Sequence, residues 1–491
     1  MPDPAAPSAK QQQIAVIGSG IAGLASAWLL AGRHQVTLIE RNDYVGGHTH
    51  TIVVDDHGRP LLVDTGFIVY NEANYPLLVR LFEHLGVATR EGDMSFAASI
   101  RTSIESGTGS GLGAGAESDS GLDNDSGEIE YSGDSLKTLF AQPRNLFSPC
   151  FLGMLADIVR FNRRCRRCLE RGGFDGLSVG EFLKRERLGP VFRDHYLLPM
   201  AAAIWSCPTS TMMDFAIESL ARFFKNHGLI NILQRPLWRT VTGGSHAYVE
   251  KILADIGREN VLHDPAVRVR RLASSKPGGG SGGSAGELDG DGDQGVEVTL
   301  ASGAARRFDQ VVFACHADEA LAMLEHPSAD EARLLGCFRY QANQTWLHTD
   351  TRLMPRRRAV WSSWNYLATR AQDGQAAVSV TYWMNRLQGL ETSTDYLVSL
   401  NPPEPPRPET RIAEMVYHHP VFDQRAMDAQ QELHRLQGQG GLWFCGSYFG
   451  YGFHEDALRA AVEMAGRMGI DTAWLTESSA SGQPSSAAER R

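Results

Sequence analysis

The sequence predicts an α/β fold in two parts: an α/β domain opened by a βαβ unit, and an inserted domain of mixed sheet plus helices. Three observations carry this expectation. An apolar run, Ile14 to Ile17, passes directly into a glycine-rich turn and then a helical pattern. Strand-like and helix-like segments alternate in the early part of the chain. From Phe147 to Phe224 the pattern turns mostly helical, which sets a helical layer into the α/β frame.

The opening element reads Ile14-Ala-Val-Ile-Gly18-Ser19-Gly20-Ile-Ala22-Gly23-Leu24, a strand running into Gly-x-Gly-x-x-Gly. Ile21, Leu24, Ala25, Trp28 and Leu29 then recur at helical spacing up to Gly32, and Gln35 to Ile39 forms a second strand that closes with Glu40. Each glycine has a physical task in a dinucleotide site. Gly18 permits the tight turn, Gly20 lets the backbone approach a pyrophosphate, and Gly23 lets helix and strand pack closely, with Ser19 and Ala22 completing the loop at the helix N-terminus. Glu40 stands where a carboxylate accepts hydrogen bonds from a ribose diol. This is a Rossmann-like unit, and on its own it does not choose between NAD and FAD.

The next segment, Arg41-Asn-Asp-Tyr-Val-Gly46-Gly47-His48-Thr49-His50-Thr51, resembles the second glycine signature of FAD-binding amine oxidases, phytoene desaturases and protoporphyrinogen oxidases. The resemblance implies a non-covalent FAD in a domain of the GR2/amine oxidase type. It places Gly46, Gly47, His48 and Thr49, with Arg41, along the pyrophosphate and ribityl chain. Further matches follow in order. Val63-Asp-Thr65-Gly66-Phe is similar to the segment beside the flavin ring, Val241-Thr-Gly-Gly244 to the turn before the helix that leads to the adenine, and Ala266-Val267-Arg-Val269 to the adenine-contacting strand. Val311 to His316 resembles the strand end that returns to the pyrophosphate. The closing signature, Leu442 to Ala461, reads as strand, glycine loop at Gly446, and a helix from about His454. A helix N-terminus there offers unpaired amide donors and a positive dipole end to the flavin edge, where negative charge appears on reduction. Glu455 and Asp456 are equally explained as first-turn acids. No cysteine matches a covalent attachment point, since Cys445 precedes Gly446 within the strand.

Finer features, among them Asp64 to Asn71, Leu198 to Ser206, Trp361 to Tyr366, Thr381 to Gln388 and Gly452 to Asp456, resemble bacterial proteins similar to the N-terminal oxidase-like domain of plant cyclopropane fatty acid synthases. That kinship implies a hydride transfer from an apolar, acyl-lipid substrate to flavin N5. The alternatives are an amine oxidase or carotenoid-type desaturase or isomerase and, from another class, a non-catalytic FAD-binding module partnering a lipid methyltransferase. Amine oxidases hold a water at N5 with a lysine, yet Cys337 to Thr349 contains none, and Asn343 or Gln344 takes the place. Phe453 falls where those enzymes carry an aromatic residue of the flavin face. His454, Phe453, Trp205 and Tyr382 are therefore the candidate catalytic residues, with His454 and His48 as the only candidate bases.

The 491 residues carry a formal charge of −10. Residues 101–135, a Gly/Ser-rich acidic insertion, and 274–295, a similar loop between two β-type runs, account for that excess, so both read as flexible and the rest of the chain is close to neutral. No basic footprint for nucleic acid remains. The expected division is FAD-binding domain at 12–100, 226–330 and 431–475, helical substrate segment at 136–225, substrate domain at 331–430, and a disordered tail at 476–491. No signal peptide or membrane span is evident, and seven scattered cysteines suit a cytoplasmic protein. Cys165 and Cys168 read as helix surface and not as a metal site; no metal is expected. The basic stretch from Phe151 to Arg171 reads first as a solvated face and second as a peripheral contact with the inner membrane face.

Overall fold

The computed structural model describes residues 10–102, 128–205, 212–226, 229–230, 237–272, 295–370 and 376–476. The middle of the acidic insertion, the loop before Gly295 and the tail from 477 lie outside the described residues.

Five parallel strands form the sheet of the first domain, in the order Val261–His263, Gln35–Glu40, Gln13–Ile17, Gln310–Phe313, Leu442–Phe444. Ile14, Ala15 and Val16 of the central strand are completely buried, because both faces are covered. Ile14 and Val16 pack with the helices Ile21–Ala31, His246–Ile256 and His454–Arg467. Ala15 and Ile17 share a core with the antiparallel sheet Ala266–Leu272, Gly295–Leu300, Ala305–Phe308. The two β-type runs flanking the second loop thus pair antiparallel.

The inserted domain is a seven-stranded sheet in the order Arg411–Val421, Arg339–His348, Leu397–Leu400, Ala376–Trp383, Trp364–Arg370, Phe96–Thr102, Glu128–Ser132. Only the pair Trp364–Arg370 with Phe96–Thr102 is parallel. The division expected at residue 100 therefore cuts a strand of the second domain, and the expected insertion contributes the edge strand Glu128–Ser132. The acidic composition hid this strand. Glu130 is fully buried, where its carboxylate accepts the Arg356 N–H (2.6 Å), the Arg357 N–H (3.2 Å) and the Arg357 guanidinium (2.9 Å), the paired condition under which a buried charge is tolerated.

Helices Pro149–Arg171, Val179–Arg185, Leu198–Trp205 and Ile217–Asn226 form the helical layer. Its core is aromatic, with Phe151, Phe161, Phe182, Phe192 and Phe224 almost wholly buried. Cys165 corrects the expectation of a surface C-x-x-C: it belongs to this core, and burial pushes its thiol pKa up. Among the described residues no helix is long and apolar enough to cross a membrane.

Candidate active site

A cavity of about 710 Å³ runs between the glycine loops of the first domain and the inner face of the second. This falls well within the range of about 300–1,000 Å³ that ligand sites occupy.

The glycine turn is built as its spacing dictates. Gly18 has φ +99°, and a Cβ on Gly23 would stand 1.8 Å from the Gly18 carbonyl oxygen, so helix and turn touch backbone to backbone. Gly20 differs. A Cβ there meets nothing within 4 Å, since Gly20 faces the open cavity. Glu40 ties the two glycine loops together: one carboxylate oxygen accepts the Ser19 N–H (3.0 Å) and hydroxyl (2.5 Å), and the other the Asn42 N–H (2.8 Å). Ser19 Oγ in turn accepts the Gly46 N–H at 3.1 Å.

Of the expected cofactor residues, Gly18, Ser19, Gly20, Ala22, Glu40, Arg41, Gly47, His48, Thr65, Gly66, Gly446, Phe453 and His454 line the cavity. Gly23 and Gly46 stand behind it as packing positions. Thr49, expected on the ribityl chain, is instead fully buried in the wall, where Oγ1 meets the Tyr248 hydroxyl at 2.5 Å and His454 Nε2 at 3.1 Å. Val267 is 49% exposed and its side chain is turned to solvent; the strand register shifts between Ala266 and Arg268, and Ala266 takes the place at the cavity wall.

His454 begins the closing helix, with its ring stacked on Phe67 at 3.8 Å and its Nε2 shared between Thr49 and, at 3.0 Å, Tyr248. Burial lowers its pKa to about 3. It is a neutral wall residue at pH 7, clamped by Thr49 and Tyr248. The first-turn acids have separate uses. Asp456 accepts the Tyr451 (2.9 Å) and Phe453 (3.1 Å) amides of its own helix start, and Glu455 caps the neighbouring helix Pro76–Leu85 through the Leu77 (2.9 Å) and Leu78 (3.1 Å) amides. Phe453 stacks on Phe223 at 4.9 Å. Tyr382 lines the cavity in edge contact with Trp364 at 4.7 Å, and burial raises its pKa. Trp205 ends the helix Leu198–Trp205, and its side chain lies outside the described residues.

The sequence reasoning missed a histidine group. His316, His418 and His419 share the cavity wall with His48 and His454. The signal was present as two adjacent histidines in the apolar run Met415-Val-Tyr-His-His-Pro-Val421. Desolvation holds His48 well below the usual histidine range and His419 at about 4, each further lowered by its histidine neighbours. His48, His316, His419 and His454 stay neutral near pH 7. His48 Nε2 is buried with no partner.

Asn343 and Gln344, expected in place of lysine, do not reach the cavity. Gln344 turns outward to Glu414 (2.6 Å). Asn343 is fully buried and donates through Nδ2 to His419 Nδ1 at 2.8 Å. A backbone amide fixes the direction of this chain: the Gln344 N–H donates to Asn401 Oδ1 (2.9 Å), Asn401 Nδ2 to Asn343 Oδ1 (2.7 Å), and Asn343 Nδ2 then to His419. His419 Nδ1 is thereby an acceptor and its proton sits on Nε2.

An orphaned polar atom at His48, open space over Gly20 and a helix N-terminus at the wall fit a dinucleotide cofactor bearing a pyrophosphate. The site defines a two-domain protein that binds a dinucleotide cofactor. Residues 21–394 match the model of the flavin-containing amine oxidoreductases, and the chain belongs to that family; it is an FAD-dependent oxidoreductase. The fold is similar to that of a CLA-producing fatty acid isomerase from P. acnes, at 15% identity and TM-score 0.58 over 94% of this chain and 99% of that one. It is equally similar to putrescine oxidase (15% identity, TM-score 0.59, 94% and 99% covered) and to cyclohexylamine oxidase from Brevibacterium oxydans (16%, 0.55, 94% and 100%). A comparison with curated proteins gives no match.

Proposed function

We propose that the protein oxidises an apolar, acyl-lipid substrate, and that its FAD is bound non-covalently. Bound FAD supplies the hydride acceptor. The observation that supports a lipid is the charge inventory of the cavity wall: among the described residues its only carboxylates are Glu40 and Glu319 and its only permanent cation is Arg41. Glu40 is occupied by the Ser19 and Asn42 amides, and Arg41 is paired with Glu319. The rest of the wall carries no carboxylate and includes the apolar and aromatic Met200, Phe223, Leu229, Trp364 and Tyr382 beside the neutral polar groups. An ammonium group entering there would be desolvated with no carboxylate to meet it, at a cost of several kcal/mol, whereas an acyl chain gains from the same surface.

The chain's own residues exclude water and hold protons in place. Phe453, Phe223 and Trp364 keep the site dry. His419, fixed by Asn343, presents a neutral Nε2–H donor, and the first-turn amides of the closing helix face any developing negative charge. Among the described residues no side chain is poised as a base, in keeping with a hydride transfer that needs none. The resemblance to the oxidase-like domain of plant cyclopropane synthases points the same way.

The amine reading rests on the aromatic faces, which attract cations as well as hydrocarbon. Stopped-flow mixing under nitrogen with unsaturated or methyl-branched phospholipids and with a panel of primary amines and polyamines separates the two. The expected result is bleaching of the flavin by a lipid. Rapid bleaching by an amine alone would restore amine oxidation. An inert flavin, together with retention of a lipid methyltransferase by the purified protein, would favour the accessory-module reading.

A further inference from the structure

The outer surface of the helical layer is divided along one line. On the helix Pro149–Arg171, Leu152, Ala156, Val159, Arg163 and Arg166 are all exposed and recur at intervals of three and four residues, which places them in a single stripe. The opposite stripe, Met154, Phe161 and Cys165, is buried in the aromatic core. The outward stripe begins apolar and ends cationic. Its apolar end is extended by the preceding turn, where Phe147 is 85% exposed and Leu146 48%. At the other end Arg167 and Arg171 flank the stripe. Among the described residues Arg163, Arg166, Arg167 and Arg171 have no carboxylate partner, whereas Arg160 is paired with Asp157 and Arg164 with Glu186.

An exposed phenylalanine and leucines in line with unpaired arginines are costly to leave in water and are complementary to one kind of surface, an apolar layer under a negatively charged one. We propose that this face docks the protein on an anionic lipid bilayer, with Phe147 and Leu152 entering the acyl boundary and Arg163, Arg166 and Arg167 meeting the headgroup phosphates. The chain's overall negative charge does not oppose this, because the acidic excess resides in sequence segments other than this helix. The same layer connects the docking face to the cavity: this helix packs against Ile217–Asn226, whose Phe224 contacts Phe161 and whose Phe223 lines the cavity wall. Binding at the face is independent of what the cavity oxidises, so this inference and the acyl-lipid reading can fail separately.

The test is flotation of the FAD-loaded full-length protein with vesicles of phosphatidylcholine alone and of phosphatidylcholine mixed with phosphatidylglycerol, at low and high salt, beside a vesicle-free control. The expected result is flotation with the anionic vesicles only, weakened by salt. The triple variant Arg163→Gln, Arg166→Gln, Arg167→Gln should partition roughly a hundredfold less well, since each cation near such a surface contributes about a factor of five. The double variant Phe147→Ser, Leu152→Ser should lose roughly tenfold or more. Flavin absorbance of each variant confirms its fold. Equal flotation with both vesicle types, no flotation with either, or a triple variant that floats like the wild type would overturn the proposal, and self-association through this face in the vesicle-free control would assign it to a second copy instead.

Discussion

Replacing Gly20 by valine and Gly23 by alanine should break the protein in two different ways, although the positions are three residues apart in one motif. At Gly20 the backbone has φ −63° and ψ 179°, a conformation open to any residue, and an added Cβ meets no atom within 4 Å. The fold tolerates valine there. The space the side chain takes is the cavity itself, over the turn where the pyrophosphate must approach. At Gly23 a Cβ would lie 1.8 Å from the Gly18 oxygen and 3.3 Å from the Ala314 side chain. That contact is backbone and cannot rotate away, so relief requires the helix to shift and costs about 1–3 kcal/mol or more. Bound cofactor adds about 4 kcal/mol to stability when FAD is a thousandfold above its Kd. Gly20→Val should therefore unfold like deflavinated wild type and gain nothing from added FAD, while Gly23→Ala should already be destabilised without the cofactor. Acid release of FAD and thermal unfolding with and without FAD measure both effects. Stoichiometric FAD in purified Gly20→Val, or deflavinated Gly20→Val as unstable as Gly23→Ala, would refute the assignment of the pyrophosphate to this turn.

Two further outcomes follow from the histidine wall. Asn343→Leu removes the donor that fixes His419 Nδ1, a hydrogen bond of about 1 kcal/mol, and should move the flavin midpoint potential by roughly 20 mV at unchanged FAD content; an unaltered potential would remove His419 from the flavin's surroundings. The deflavinated protein should lose stability in mild acid. His419 and His454 take up protons in the fold only near 4 and 3, against an ordinary 6.5, so their stabilisation is present above 6.5 and is lost as the pH falls, by about 2 kcal/mol for each histidine near pH 5. Asp64, raised to about 6 by burial, acts in the opposite sense and offsets about 1 kcal/mol of this. The two histidines outweigh it, so stability should fall between about pH 7 and pH 5, to be read from denaturant unfolding across that range; a flat or rising profile would contradict it.

The local geometry of the nucleotide site was legible because each of its elements is dictated by adjacent residues: a strand, three glycines, a helix and an acid read as one unit at Ile14 to Glu40. The site's second half is assembled from residues far apart in the chain, and sequence spacing carries no such information. Thr49 illustrates this. Its neighbours Gly47 and His48 face the cavity, but its own hydroxyl is captured by Tyr248, 199 residues away. His419 was invisible for the same reason, since its role comes from Asn343 on the neighbouring strand and from Asn401 just past the end of the strand Leu397–Leu400. The strand Glu128–Ser132 was lost to composition, because a buried glutamate reads as solvated unless its three donors at Arg356 and Arg357 are known.

The missing lysine takes on a different meaning once the wall is complete. A lysine at Asn343 would point a permanent cation at a cluster of histidines that are already held neutral by burial and by one another. Each of those histidines would be harder still to protonate, and the ammonium itself would lack a counter-ion, because the cavity's two carboxylates are occupied elsewhere. Asn343 avoids both costs: it is uncharged, fully bonded, and passes a fixed hydrogen-bond direction from a backbone amide to the imidazole. The neutral relay at Asn343 and the engagement of Glu40 and Glu319 by other groups thus act alike: both leave the histidines of the wall without a free formal charge beside them. Such surroundings would suit the uncharged chain of the proposed function better than an ammonium group.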